Sequence, residues 1–136
     1  YLEAITARDE WNPADFAVHL SRRARGLPFW FSLAVNGTDA YAEAIETTLA
    51  VTRQVAEEIR SRPYLELLVE PELSVLVFHR DGWSATDYDV WSARLFATGT
   101  AFVMPTRVRG EPAARIVILN PRTTVADIAT VLDAMI

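Results

Sequence analysis

The chain has no cysteine and no lysine among its 136 residues. Without cysteine there is no disulfide, no thiolate nucleophile and no sulfur-ligated metal. Without lysine no side chain can form a Schiff base with a carbonyl compound. All 13 basic residues are therefore arginine. Histidine is scarce: His19 and His79 stand far apart, a spacing unlike that of a histidine-based metal site. The five glycines fall at expected turns, which leaves no room for a phosphate-binding glycine loop. No apolar run reaches the ~18 residues of a membrane span. A net charge of −5 argues against a nucleic-acid surface, which needs a basic face. The first residues carry neither an initiator methionine nor a signal-peptide pattern, so the chain is expected to be a piece of something longer.

What is present suffices for a core. Hydrophobic residues make up 51% and charged residues 23%, a balance typical of a folded domain and unlike disorder. Residues 1–20 are irregular in pattern, with a turn at Trp11-Asn12-Pro13. Pro28 suits the first turn of a helix over about 28–36, expected to be buried on most sides and stopped by Asn36-Gly37. A longer helix capped by Thr38 or Asp39 follows, with Tyr41, Ile45, Leu49, Thr52, Val55 and Ile59 as its apolar stripe. Pro63 ends it. Leu65–Glu70 and Ser74–Arg80 read as strands of a hairpin, with Val75, Val77 and His79 on one face. Thr86-x-x-Asp89 resembles a capping box, opening a helix through Tyr88, Trp91 and Leu95 to Gly99. Ala101–Val108 and Ala113–Leu119 are two more strands around Arg109-Gly110-Glu111-Pro112. Thr124-x-x-Asp127 caps a last helix whose core side is Ile128, Val131, Leu132 and Met135. The order α-α-β-β-α-β-β-α predicts an α+β two-layer sandwich: a four-stranded, mostly antiparallel sheet with helices on one face.

Two arginine settings stand out. Ser21-Arg22-Arg23-Ala24-Arg25-Gly26-Leu27-Pro28-Phe29-Trp30-Phe31 puts three guanidinium groups directly before an aromatic apolar block. Such a segment either snorkels over the helix below or fixes an anion. Arg115 lies inside the run Ala113-Ala114-Arg115-Ile116-Val117-Ile118-Leu119. A guanidinium on a buried face is costly without an anion. If Arg115 faces the helices it needs an internal carboxylate; if it faces away, it awaits a ligand's carboxylate or one on another domain. Spacing leaves both directions open. His79, with no second ligand near it, reads as a strand-end residue.

Residues 21–35 (Ser-Arg-Arg-Ala-Arg-Gly-Leu-Pro-Phe-Trp-Phe-Ser-Leu-Ala-Val) and 115–124 (Arg-Ile-Val-Ile-Leu-Asn-Pro-Arg-Thr-Thr) together resemble the C-terminal third of the group II pyridoxal-phosphate-dependent amino-acid decarboxylases. This is the family of aromatic-amino-acid, histidine and glutamate decarboxylases. The intervening elements match in order and length, and the likeness is nearest to bacterial members of the aromatic branch. The resemblance implies a fold type I homodimer in the cytoplasm, acting on an amino acid. Residues 1–27 would be a segment from a mobile loop at the end of the large domain, and 28–136 the small C-terminal domain. The cofactor, pyridoxal 5'-phosphate, would be bound mainly by an N-terminal large domain that also supplies the catalytic lysine.

Three positions can be carried over on that resemblance. Ser21 falls where the family places a small residue whose backbone contacts the cofactor phosphate of the neighbouring subunit. Tyr1 falls near a loop tyrosine that returns a proton to the substrate carbon after carbon dioxide leaves. Arg115 matches an arginine that binds or orients a carboxylate, while Arg22 and Arg23 would tie the segment to the large domain. Two other readings stand beside this one. The first is a non-catalytic α+β module that binds a small molecule. The second is an aldolase or aminotransferase relative sharing the small domain.

Overall fold

In a computed structural model the described residues are 23–136. Helix α1 (Gly26–Ser61) is followed by strands β1 (Leu65–Leu67) and β2 (Val75–Arg80). Helix α2 (Ala85–Ala97), strands β3 (Met104–Val108) and β4 (Glu111–Val117), and helix α3 (Val125–Asp133) complete the order. The chain divides after Gly37 into two compact units, the second being Thr38–Ile136.

The stop expected at Asn36-Gly37 is found: the span α1 is two helices that meet at a kink there. Gly37 takes φ 79 and ψ 162, a backbone conformation open essentially to glycine alone, and helical residues continue directly after it. The expected burial of 28–36 is not found. Leu27, Phe29, Trp30, Phe31 and Val35 are 59–65% exposed. The stripe on the rest of α1 is buried only from Thr48 onward, at Thr52, Val55, Ala56 and Ile59, whereas Ile45 is exposed. Thr48 and Thr52 sit in this stripe because each hydroxyl donates to a carbonyl one turn back, Ile45 O at 2.8 Å and Thr48 O at 2.7 Å.

The four strands form one sheet in the order β1-β2-β4-β3, and every pairing is antiparallel. β2 and β3 therefore run the same way, and α2 is the crossover between them. Helices cover one face. Leu76, Phe78, Ala114 and Ile116 from the strands meet Val55 and Ile59 of α1, Tyr88, Trp91 and Leu95 of α2, and Ile128, Val131 and Leu132 of α3. The α+β sandwich predicted from the element order is the fold observed, with strands shorter than expected. β1 ends at Leu67 and β3 begins only at Met104.

Cap chemistry sets the helix starts. Asp127 Oδ2 accepts from the Thr124 N–H at 2.8 Å, while the Asp127 N–H donates to Thr124 Oγ1 at 3.2 Å. For α2 the box lies two residues earlier than expected. Ser84 and Asp87 form it, with Ser84 N–H and Oγ–H both donating to Asp87 Oδ2 at 2.7 Å, and Thr86 falls within the first turn. The Ser84 hydroxyl and then its N–H hold the Asp87 pKa below its ordinary value, and the Thr124 N–H and then its hydroxyl do the same for Asp127.

Candidate functional site: a cationic sheet face

The alternation of β4 decides where Arg115 points. Ala114 and Ile116 enter the core, so Arg115 and Val117 stand on the opposite face. Arg115 faces away from the helices, one of the two directions that spacing left open. It is opposite Val77 of β2 and Met104 of β3, hence inside the sheet rather than at its edge. Its guanidinium makes no hydrogen bond or ion pair among the described residues, and its residue is exposed. Around it on the same face are Val75, Val117 and Met104, exposed by 38%, 41% and 53%. A lone cation amid apolar side chains is tolerated while water reaches it, and requires an anion once the face is covered.

The surface beside Arg115 is concave. β3 begins at Met104, opposite Arg115, while β4 runs on to Val117, so the last residues of β4 have no β3 partner. A cavity of about 280 Å³ opens at this end of the sheet; Phe102, Met104 and Arg115 line it together with Ile116, Ile128 and Val131 of the helix-side core. Phe102 is held by an edge contact with Phe96, ring centroids 5.9 Å apart.

The far end of the same face is polar. Glu66 lies opposite His79 across β1 and β2, and a second concavity of about 400 Å³ includes both, with Arg109 and Glu111. His79 Nδ1 is 3.2 Å from Pro112 O, so Nδ1–H donates there. Among the described residues no group of three or more His, Cys, Asp or Glu is placed to hold a metal ion. Among them, too, no helix is long and apolar enough to cross a membrane.

Of the residues singled out in the sequence, Tyr1, Ser21 and Arg22 lie outside the described residues. Arg23 and Arg25 are exposed, and the Arg25 N–H donates to Arg23 O at 2.8 Å. Other arginines, unremarked in the sequence, hold the fold. Arg62 bridges Glu58 at 2.8 Å and Asp133 at 2.7 Å, tying α1 to α3. Arg80 lies over the rings of Tyr64 and Trp83, 4.9 and 5.5 Å from their centroids, and its Nε–H donates to Met135 O at 3.1 Å. Arg94 donates to Ala134 O, so two guanidinium groups serve the open carbonyls after α3. No local spacing signals the bonds to Asp133, Ala134 and Met135, which join residues 40 to 71 positions apart.

No family model matches the chain. It is 28% identical to an L-2,4-diaminobutyrate decarboxylase of Acinetobacter baumannii over 122 residues, 85% of this chain and 24% of that protein. With the L-2,4-diaminobutyrate decarboxylase of Rhizobium meliloti it shares 30% identity over 132 residues, 93% of this chain and 27% of the relative. Further relatives are an aromatic-L-amino-acid decarboxylase and acidic amino acid decarboxylases. Among solved structures, the glutamate decarboxylase domain of a diaminobutyrate-pyruvate transaminase and L-2,4-diaminobutyrate decarboxylase from Vibrio parahaemolyticus superposes with a TM-score of 0.69 at 28% identity. That match covers 80% of this chain and 24% of the other. The chain thus spans about a quarter of the length of these relatives. It is a homologue of the C-terminal part of the group II pyridoxal-phosphate-dependent amino-acid decarboxylases.

Proposed function

We propose that this chain is the small-domain part of a pyridoxal-phosphate-dependent amino-acid decarboxylase, and that Arg115 binds and orients the substrate's carboxylate. One observation supports this reading: a guanidinium with no counter-ion among the described residues, at the centre of an apolar, exposed sheet face beside a notch. Covering that face with the catalytic domain would remove water from Arg115 and make an anion necessary. An amino-acid substrate brings one.

The chain's own residues fit the substrate anion and not the cofactor's aldehyde, since the chain contains no lysine. The attachment site is therefore proposed to lie on the rest of the enzyme. When bound there, pyridoxal phosphate supplies the sink for the electrons released as carbon dioxide departs. Arg115 has a narrower task. It binds the carboxylate and holds it in place before that step. On the same reading the backbone at Ser21 lies against the cofactor phosphate of a neighbouring subunit in a cytoplasmic homodimer. Tyr1 returns the proton to the substrate carbon.

The test is Arg115→Gln in the full-length enzyme. A charge-assisted hydrogen bond is worth about 1.5–3 kcal/mol, or roughly 10- to 150-fold, so KM for the amino acid should rise by that factor. Arg115→Lys should recover part of it. An unchanged KM in the Gln variant overturns the assignment.

A further inference from the structure

On the helix side of the sheet a cleft opens between α2 and β3, and we infer that it is a second small-molecule site, one that binds a zwitterionic amino acid. The inference is independent of the role given to Arg115, which stands on the other face of the sheet. Ala85, Tyr88 and Asp89 fall at i, i+3 and i+4, so they share one face of α2. Pro105 pairs with Ala114, which enters the core, so Pro105 and Arg107, two residues on, lie on the helix side of β3. These five residues line one cavity of about 410 Å³, together with Pro112, the partner of Arg107 in β4. That volume lies within the ~300–1,000 Å³ usual for small-molecule sites.

The floor of the cleft is apolar and fixed. Tyr88 is fully buried, and its hydroxyl is held by the Arg80 N–H at 2.7 Å. Pro105 and Pro112 have restrained backbones and no N–H to satisfy. The rim carries one charge of each sign. Asp89 stands on the helix wall and Arg107 on the strand wall, and among the described residues no ion pair joins them. Arg107 Nη1–H donates to Gly110 O at 3.0 Å, which steadies the guanidinium and leaves Nε–H and the Nη2 donors for a ligand. A lone anion in this cleft is repelled by Asp89, and a lone cation by Arg107. A molecule with both charges meets an opposite charge at each wall. The ammonium of an amino acid pairs with Asp89 and its carboxylate with Arg107, and its side chain lies over Tyr88 and the prolines.

Calorimetric titration of the full-length enzyme tests this, in the wild type and in Arg115→Gln. The probes are L-valine, isobutylamine, which lacks the carboxylate, and 3-methylbutanoate, which lacks the ammonium. Arg115→Gln removes the carboxylate contact on the open face, so L-valine should still bind that variant through the cleft. Both single-charge probes should bind it at least 10-fold more weakly. In the same background Asp89→Asn and Arg107→Gln should each raise Kd for L-valine at least 10-fold. Exchanging the charges, Asp89→Arg with Arg107→Asp, should recover part of the affinity, which a merely structural role would not do. Asp89 and Arg107 are exposed, so the variants should fold, and thermal melts check that they do. If Arg115→Gln shows no L-valine binding, the inference fails. It fails equally if either single-charge probe binds as tightly as L-valine, or if the Asp89 and Arg107 variants leave Kd unchanged.

Discussion

Replacing Tyr88 with phenylalanine removes one oxygen from the centre of the core and nothing else. Tyr88 is fully buried, and its hydroxyl oxygen accepts the backbone N–H of Arg80 at 2.7 Å. The ring volume hardly changes, so no cavity term enters, and the edge contact with Trp83 at 5.2 Å survives. What remains is a half-buried donor deprived of this acceptor, at a cost of about 1–3 kcal/mol. For a domain of this size each kcal/mol lowers Tm by roughly 3–5 °C, so a fall of about 3–15 °C is expected in a calorimetric or circular-dichroism melt. A second signature follows from titration. Burial raises the pKa of Tyr88 above its ordinary value near 10, outweighing the Arg80 hydrogen bond that lowers it. The unfolded phenol ionises first as pH rises, so the wild type should lose stability above about pH 10, toward the raised folded value. Tyr88→Phe should lack that alkaline loss. A variant as stable as the wild type, with the same alkaline limb, would refute the account of how β2 and α2 are joined.

The caps and the clamp give further tests. Thr124→Ala should cost about 1 kcal/mol by removing the hydroxyl that caps α3, read as a lower denaturation midpoint with an unchanged slope. Asp87 and Asp127 titrate below their ordinary value near 3.8 in the folded chain. Their contribution is therefore present above that value and is lost as pH falls through the lower folded values; Asp127→Asn should flatten the acid limb of a stability profile. A double-mutant cycle on Arg62 and Asp133 should return no more than about 1 kcal/mol, because the aspartate is 58% exposed although the arginine is only 14% exposed. A larger coupling would mean that the pair is screened from water in the full protein.

Much of the fold is legible in residue patterns because it rests on local rules. The period of two in 75–80 and 113–119, the Thr124 cap and the apolar spacing of 128–135 each specify an element without help from the rest of the chain. The errors occur where local rules are ambiguous. Ser84-x-x-Asp87 and Thr86-x-x-Asp89 both satisfy the capping pattern, and only the backbone path chooses between them. The block from Leu27 to Val35 looks like core by composition, but composition does not say what covers it. The direction of Arg115 is unreadable for a similar reason. Its neighbours on both faces are apolar, so alternation alone gives no sign. Pairing with Val77 and Met104, on strands 38 and 11 residues away, settles it.

That pairing depends on the turn between β3 and β4. Arg109 and Gly110 take φ 52 and 91, the left-handed pair of a two-residue hairpin whose twist matches the strands. The turn places Val108 opposite Glu111, and counting back along both strands brings Met104 opposite Arg115. Because side chains alternate, a slip of one residue would turn Arg115 into the space held by Tyr88, Trp91 and Ile128. No carboxylate is buried among the core residues there, so the slipped sheet would enclose an unpaired guanidinium, at a cost of several kcal/mol. The same charge proposed to hold a substrate carboxylate thus also selects the sheet register that presents it. An uncharged residue at position 115 would lose the strongest penalty against the wrong register.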